Sequence, residues 1–137
     1  MKFQNFNMEK VYLAGTLNTS WQSKIIDRLK DKFIFYNPQD HNLGESHMYT
    51  VWDLHFLQKS DIVFAYLNKE NPSGYGLTLE IGFAKALNKT IILVDEKSLN
   101  DSSFEKNFRI VRESSSIVFD SLETGLEYLL KFSLGSS

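Results

Sequence analysis

The stretch DIVFAYLNKENPSGYGLTLEIGFAKALNKTIILVD, residues 61–95, decides the fold of this chain of 137 residues. Residues 62–67 form a short, continuous apolar run, which is typical of a buried strand. Residues 68–76 contain Asn, Pro, Ser and two Gly and are predicted to form a loop. A helix follows, because apolar residues repeat at helical spacing at Leu77, Ile81, Ala84 and Leu87. Residues 90–94 are a second strand, and two buried strands joined by a helix form a right-handed unit with parallel strands.

The loop at the carboxyl end of the first of these strands is a candidate ligand site. Ligands of open α/β sheets bind outside the carboxyl ends of the strands, where Ser73, Gly74, Tyr75 and Gly76 are predicted to lie. Glycine lets the backbone approach a ligand closely, and the first amides of the next helix are free donors. Glu80 follows one turn into that helix. Its carboxylate either faces the cleft or simply complements the positive end of the helix dipole.

The rest of the chain alternates strands and helices. The other strands are predicted at residues 10–14, 33–36 and 117–119, and the other helices at residues 21–32, 50–60, 104–112 and 122–132. This alternation predicts a three-layer α/β sandwich with a mostly parallel five-stranded sheet. Among the flavodoxin-like arrangements we expect the order 2-1-3-4-5, which would bring the ends of strands 1, 3 and 4 together around one cleft. We expect one domain over residues 1–137, with a flexible arm at residues 1–9 and a tail at residues 133–137.

The loop after the first strand would lie beside the same cleft. Gly15, Thr16 and Asn18 supply backbone amides, a hydroxyl and a side-chain amide that suit a hydroxyl or phosphate group. The loop matches neither the dinucleotide-binding glycine pattern nor the P-loop. An ordinary turn that ends in Ser20 as the N-cap of the next helix explains the loop equally well. Ser121 is predicted to cap the last helix in the same way.

A long polar loop at residues 39–49 precedes the second helix and is typical of a lid or specificity segment. Asp53 is predicted near the start of that helix, where it either complements the dipole or contacts a substrate. His41 and His47 are six residues apart with no third ligand at metal spacing. The sequence therefore predicts no metal site.

Composition and charge exclude several classes of protein. A net charge of −2 without a basic run disfavours a nucleic-acid surface. No apolar run approaches the ~20 residues that span a membrane, and the polar residues 1–10 lack the apolar core of a signal peptide. The absence of cysteine excludes disulfides and thiolate metal sites. We therefore expect a cytoplasmic protein without nucleic-acid or membrane partners.

Three segments together resemble a known family. They are the first strand at residues 12–15 (Tyr-Leu-Ala-Gly), Asp53 eight residues before Asp61, and residues 74–84 (GYGLTLEIGFA). In this order and spacing they resemble the nucleoside 2-deoxyribosyltransferase superfamily, which includes the 2′-deoxynucleoside 5′-monophosphate N-hydrolases. The similarity runs over roughly residues 11–130.

The resemblance implies roles for three catalytic side chains. Glu80 would be the nucleophile that attacks the anomeric carbon of a 2′-deoxyribosyl group, and Tyr12 would hydrogen-bond and steady it. Asp53 would contact the sugar or the base. No metal or organic cofactor is implied.

The resemblance also implies a set of binding residues and a homo-oligomer. Gly15, Thr16 and Asn18 would hold the 5′ end of the substrate, and Ser73 or Gly74 would contact the sugar. Gly76 belongs to the same loop, in which Tyr75 is the best candidate for stacking on the base. Ser115, just before the fifth strand, would complete the site of a neighbouring subunit.

The chemistry leaves three functions open. A carboxylate can capture the oxocarbenium-like centre left by a departing base as a covalent sugar–enzyme intermediate. A second base then gives transfer, as in purine or pyrimidine salvage, whereas water gives hydrolysis of a nucleoside or its 5′-monophosphate. The third function, a non-catalytic nucleotide sensor, uses the same fold without needing a nucleophile.

Overall fold

The computed structural model describes residues 8–16 and 19–136. Five strands form one all-parallel sheet in the order β2-β1-β3-β4-β5. The strands are β1 (Lys10–Gly15), β2 (Ile34–Tyr36), β3 (Ile62–Leu67), β4 (Thr90–Asp95) and β5 (Ile117–Phe119). The helices are α1 (Trp21–Leu29), α2 (Ser46–Lys59), α3 (Tyr75–Ala86), α4 (Ser102–Ser114) and α5 (Leu122–Leu130), with 3-10 turns at Pro38–His41, Ser98–Asn100 and Lys131–Ser136. The predicted fold class and strand order are confirmed.

The sheet is covered by helices on both faces, because successive side chains of a strand point to opposite sides. In β1, Val11 and Leu13 pack with α1 and α5, whereas Tyr12 and Ala14 pack with α2, α3 and α4. The central strands β1, β3 and β4 are buried on both faces, which explains their continuous apolar runs. Tyr12 is therefore placed on the face that α2 and α3 cover.

The second helix begins earlier than predicted. α2 starts at Ser46, because the Glu45 carboxylate accepts hydrogen bonds from the backbone amides of His47 and Met48 and so caps the helix. The predicted polar loop at residues 39–49 is accordingly wrong in part. It contains the end of a 3-10 turn, a short connection and the first turn of α2.

The ends of the chain also differ from the prediction. Of the predicted arm, residues 1–7 lie outside the described residues, but the carbonyl of Glu9 already accepts a hydrogen bond from the Ile34 amide beside β2. Of the predicted tail, residues 133–136 belong to the last 3-10 turn, and Ser137 lies outside the described residues. No helix in the described part of the chain is long and apolar enough to cross a membrane.

The two predicted serine caps behave differently. Ser121 accepts a hydrogen bond from the Thr124 amide and caps α5 as predicted. Ser20 occupies the N-cap position of α1, but its side chain makes no capping hydrogen bond, so that part of the prediction is wrong.

Close packing of α5 on the sheet predicts a specific sensitivity to a methyl group at Gly125. A Cβ there would lie 2.5 Å from Val94 Cγ2 and 3.3 Å from Phe64 Cζ. We expect Gly125→Ala to lower the free energy of unfolding by about 1–3 kcal/mol, measured by urea denaturation. Gly82→Ala in α3 is the matched control, because no heavy atom lies within 4 Å of its Cβ and helix propensity favours Ala by up to about 1 kcal/mol. Equal stability of the two variants would contradict the prediction.

Candidate active site

A cavity of about 400 Å³ opens between α2 and α3 at the carboxyl end of β1. This volume falls in the range of small-molecule sites. The cavity is lined by Gly15, Pro38, His41, Leu43, Tyr49, Thr50, Asp53, Leu54, Gly76, Leu77, Leu79 and Glu80. Its walls are thus mainly apolar, with two carboxylates and one imidazole among them.

Tyr12 and Glu80 form a hydrogen-bonded pair beside this cavity. The Tyr12 hydroxyl donates to Glu80 Oε2 at 2.7 Å. Glu80 is three residues after Leu77 and four before Ala84, so it lies on the stripe of α3 that packs on the sheet. Tyr12 is fully buried and points from β1 toward the same side. Glu80 is the sixth residue of α3 and lies beyond its first turn. A favourable interaction with the helix dipole therefore does not explain why a glutamate stands at this position.

The electrostatics of this pair keep the carboxylate close to its titration point at neutral pH. Burial is the largest effect and, with a smaller contribution from the charge of Asp53, raises the pKa of Glu80 to about 7, against the opposing effect of the Tyr12 hydrogen bond. Burial and the neighbouring Glu80 also raise the pKa of Tyr12 well above its usual range. The tyrosine therefore stays protonated and remains a donor.

Asp53 and His41 form a second polar pair at the cavity. His41 Nε2 lies 3.3 Å from Asp53 Oδ1, with the side chains 7% and 18% exposed. Burial raises the pKa of Asp53, and His41 opposes that shift. Asp53 is the eighth residue of α2, because the helix starts earlier than predicted. The prediction that Asp53 lies near the helix start is therefore wrong, and the helix dipole does not explain an aspartate at this position.

One asparagine ties the two predicted ligand loops together. Asn71 Nδ2 donates to Thr16 Oγ1 at 2.8 Å, and Asn71 Oδ1 accepts from the amides of Ser73 and Gly74 at 3.1 and 2.8 Å. These two loop amides, which precede the first residue of α3, are therefore already engaged within the loop. Gly74 has a left-handed φ of 70° at the start of α3, a conformation that glycine adopts without strain.

The structure brings only some of the predicted binding residues to the cavity. Gly15 and Gly76 line it together with the two carboxylates. Tyr75 begins α3 and is 83% exposed, outside the cavity lining, so in a single chain it has no place to stack on a base in this cavity. Asn18 lies outside the described residues.

Ser115 lies at the opposite edge of the sheet from the cavity in its own chain. It precedes β5 and therefore lies at the amino ends of the parallel strands. Its hydroxyl donates to the carbonyl of Val111 at 3.0 Å. Within one chain Ser115 is not a cavity residue.

Several cavity residues were missed from the sequence. They are Pro38, His41, Leu43, Tyr49, Thr50, Leu54 and Leu79. Most lie in or beside the segment predicted as a polar loop, whose helical part was hidden because Glu45 is not among the preferred capping residues. From the sequence, His41 is a candidate only for metal binding. Its sequence position, three residues after Pro38, does not reveal that it faces Asp53.

Comparisons with known proteins identify the family and the fold. A profile of the family described as "Nucleoside 2-deoxyribosyltransferase like" matches residues 8–98. The chain belongs to this family. No curated protein sequence matches it significantly.

Solved structures show the same fold. A 2-deoxyribosyltransferase from Leishmania mexicana is 18% identical, with 90% of this chain and 97% of that chain covered and a TM-score of 0.71. The 2-deoxyribosyltransferase from Bacillus psychrosaccharolyticus is 19% identical over 87% and 91% of the chains, with a TM-score of 0.65. A CMP N-glycosidase from Clostridium botulinum is 21% identical over 88% and 98%, with a TM-score of 0.58.

The raised pKa of Glu80 predicts a pH-dependent cost in stability for this family member. Since the pKa is about 7 in the folded state and 4.5 in the reference state, Glu80 contributes stability below pH 4.5 that is lost as the pH rises through about 7. Relative to wild type, Glu80→Gln should gain about 3 kcal/mol in free energy of unfolding between pH 4.5 and 8. Urea denaturation at both pH values measures this difference.

The matched control removes a carboxylate elsewhere. Glu127→Gln alters an exposed side chain on α5 and is compared with wild type at the same two pH values. A gain for Glu80→Gln no larger than that for Glu127→Gln would contradict the assignment of Glu80 as a destabilising buried carboxylate.

Proposed function

We propose that the protein is an enzyme that cleaves the N-glycosidic bond of 2′-deoxynucleosides through a covalent deoxyribosyl–Glu80 intermediate and transfers the sugar to another base. The observation that carries this proposal is the hydrogen-bonded pair of buried Tyr12 and partly buried Glu80 beside a cavity of nucleoside size, in a chain of this family. A partly buried carboxylate in the apolar stripe of a helix is costly for folding, which favours a functional reason for its presence.

Glu80 acts as the nucleophile in its ionised form. Its carboxylate attacks C1′ as the base departs, and the Tyr12 hydroxyl holds one oxygen so that the other is directed to the sugar. The pKa of about 7 leaves a substantial ionised fraction at neutral pH. Asp53 contacts the base and supplies the proton that it takes as it leaves.

The fate of the intermediate decides between transfer and hydrolysis. A second base bound in the cavity displaces Glu80 from C1′ and yields a new nucleoside with net retention, whereas water yields free deoxyribose. The apolar walls that α2 and α3 supply favour exclusion of water and stacking of an acceptor base. We therefore place transfer first, with a role in purine or pyrimidine salvage.

A nucleoside suits the cavity better than a nucleotide. Among the described residues, the lining carries the carboxylates of Asp53 and Glu80 and no Lys or Arg side chain, so a 5′-phosphate would meet negative charge. The 5′ end would lie near Gly15, Thr16 and Asn18, where amides and hydroxyls suffice for a neutral hydroxyl. Ser73 or Gly74 would approach the sugar.

Hydrolysis of 2′-deoxynucleoside 5′-monophosphates is the second candidate. It is favoured by Ser115, because transferases of the resembled superfamily typically carry Asn at this position. It is also favoured by the likeness to the CMP N-glycosidase fold. In both reactions Ser115 would act across the interface of a homo-oligomer, since it lies at the sheet edge far from the cavity of its own chain.

Product analysis tests these reactions directly. Purified protein is incubated with deoxyinosine, deoxyadenosine, deoxycytidine or thymidine, with and without a second free base, in parallel with the 5′-monophosphates and ribonucleosides. We expect a new deoxynucleoside that forms only when the second base is present. Glu80→Ala should lower turnover at least 1000-fold, because no other group replaces a lost nucleophile.

The outcomes separate the candidates. Free base and deoxyribose 5′-phosphate, formed from a monophosphate whether or not a second base is added, would favour the hydrolase. Binding of a nucleotide without turnover, unchanged in Glu80→Ala, would favour the non-catalytic sensor and overturn the proposal.

The hydrogen bond from Tyr12 predicts a shifted pH profile in Tyr12→Phe. Wild-type kcat should rise with pH through about 7 as Glu80 ionises. Loss of the hydroxyl removes the effect that lowers the pKa of Glu80, so this rise should move to higher pH. At pH 7, kcat should fall about 10- to 100-fold, the value of one hydrogen bond to a charged group.

Tyr66→Phe is the matched control for this variant. It removes a tyrosine–glutamate hydrogen bond of 2.8 Å, from Tyr66 to Glu96, on the opposite face of the sheet. Its pH profile should match that of wild type. The same profile in Tyr12→Phe and Tyr66→Phe would contradict a role for Tyr12 in setting the ionisation of Glu80.

A further inference from the structure

The imidazole of His41 is held in one tautomer by its own backbone. His41 ends the 3-10 turn, and Asn42 has a left-handed φ of 51°, which turns the chain back on the ring. As a result the amide of Leu43 donates to His41 Nδ1 at 2.9 Å. A nitrogen that accepts a hydrogen bond carries no proton, so the proton of the neutral ring is on Nε2.

The protonated nitrogen faces Asp53. Nε2 and Asp53 Oδ1 are 3.3 Å apart but not well aligned for a hydrogen bond, and each is buried with no hydrogen-bond partner among the described residues. Two aromatic rings restrain the imidazole. Tyr49 lies parallel to it with centroids 6.3 Å apart, and Trp52 packs edge-on at 5.0 Å.

This arrangement makes the two carboxylate oxygens of Asp53 unequal. Oδ1 is buried and faces an N–H group, so a proton on it would point at another proton. The remainder of the side chain accounts for its 18% exposure and lines the cavity. Any proton on the Asp53 carboxyl is consequently carried by Oδ2, the oxygen that does not face the imidazole N–H group.

We propose that His41 is a positioning residue that reserves Oδ2 of Asp53 for proton transfer to the departing base. The inference rests on the proposed function. Deoxynucleoside cleavage requires a leaving group that accepts a proton, and a donor that is oriented beforehand loses no rotational freedom at that moment. His41 does not itself exchange a proton in this scheme.

The reaction balances with these groups alone. The C1′–N bond breaks and its electron pair stays with the base, while a ring nitrogen or exocyclic oxygen of the base takes the proton from Asp53 Oδ2. One oxygen of ionised Glu80 forms the new bond to C1′. Asp53 is left as a carboxylate that the Nε2–H of His41 faces. An acceptor base returns the proton when it displaces Glu80.

Leaving-group dependence tests the proposal, because a base that needs no proton gains nothing from an oriented acid. Each variant is assayed on two substrates from the base class that wild type turns over. For purines these are deoxyguanosine and 7-methyl-2′-deoxyguanosine, whose base is already cationic. For pyrimidines they are deoxyuridine and 5-fluoro-2′-deoxyuridine, whose base leaves more readily.

His41→Phe keeps a ring between Tyr49 and Trp52 but removes both nitrogens. We expect kcat to fall about 10- to 100-fold on the ordinary substrate, within the range of general acid catalysis. On 7-methyl-2′-deoxyguanosine the loss of kcat should be about threefold or less. On 5-fluoro-2′-deoxyuridine the loss of kcat should be distinctly smaller than on deoxyuridine. His41→Gln retains a carbonyl for Leu43 and an N–H group for Asp53, so it should recover part of the loss.

His55→Phe is the matched control. His55 is an exposed histidine on the same helix as Asp53 and lies outside the cavity lining. Its kcat on both substrates should equal that of wild type. Equal losses on both substrates in His41→Phe would show a purely structural role and overturn the proposal.

Nitrogen-15 NMR of the histidine rings provides a test that does not depend on turnover. The resonances of His41, assigned by their absence in His41→Phe, should show that the neutral form of the ring carries its proton on Nε2. A ring protonated at Nδ1 would overturn the inference. Glu80→Ala distinguishes a failure of the proposed function from a failure of the role of His41. Turnover that survives in Glu80→Ala refutes the proposed function. Loss of turnover in Glu80→Ala, together with equal losses on both substrates in His41→Phe, refutes only the role of His41.

Discussion

The structure of the site depends on a carboxylate held out of water against a phenol. Glu80 lies on the face of α3 that packs on the sheet, and Tyr12 from the strand beneath donates a hydrogen bond of 2.7 Å to one of its oxygens. The strand order matters for this contact, since β1 and β3 are neighbours and α3 crosses over from β3. Burial raises the pKa of the Glu80 carboxyl to about 7, so this poorly hydrated group titrates near neutral pH.

The carboxyl groups of Glu80 and Asp53 line the same cavity but have different hydrogen-bonding environments. Glu80 receives a hydroxyl that does not ionise, whereas Asp53 faces an imidazole whose orientation is set by the Leu43 amide. The charge of Asp53 also raises the pKa of Glu80 and so adds to the cost of ionising it. Such pairs of groups with different environments are the usual way in which one site provides both a nucleophile and an acid.

The sequence predicts the fold well because the central strands are continuous apolar runs and α3 has apolar residues at helical spacing. The predicted strands at residues 62–67 and 90–94 end within one residue of the observed ones. The alternation of elements predicts the fold class, and the strand order 2-1-3-4-5, chosen among flavodoxin-like arrangements, is confirmed. The residues Tyr12, Asp53 and Glu80 could be selected only through a resemblance, since spacing alone does not distinguish a buried carboxylate from a helix-start acid. One physical signal was available in the sequence, because Glu80 interrupts the apolar stripe formed by Leu77 and Ala84.

The wall of the cavity that includes His41, Leu43 and Tyr49 could not be predicted. Its geometry depends on a 3-10 turn, a left-handed asparagine and a helix capped by glutamate, each of which has weak propensity in isolation. Stacking of Tyr75 on a base stays a prediction. In a single chain the helix begins at this residue and turns its ring to solvent, outside the cavity lining.

The three hydrogen bonds of Asn71 have a mechanical consequence. Because a single amide side chain bridges Thr16 to the backbone at Ser73 and Gly74, the loop after β1 and the loop after β3 share one anchor. Neither loop can be displaced without either moving the other or breaking polar contacts that are partly shielded from water. The position of the loop after β1 is therefore coupled through Asn71 to the amino end of α3, the helix that carries Glu80.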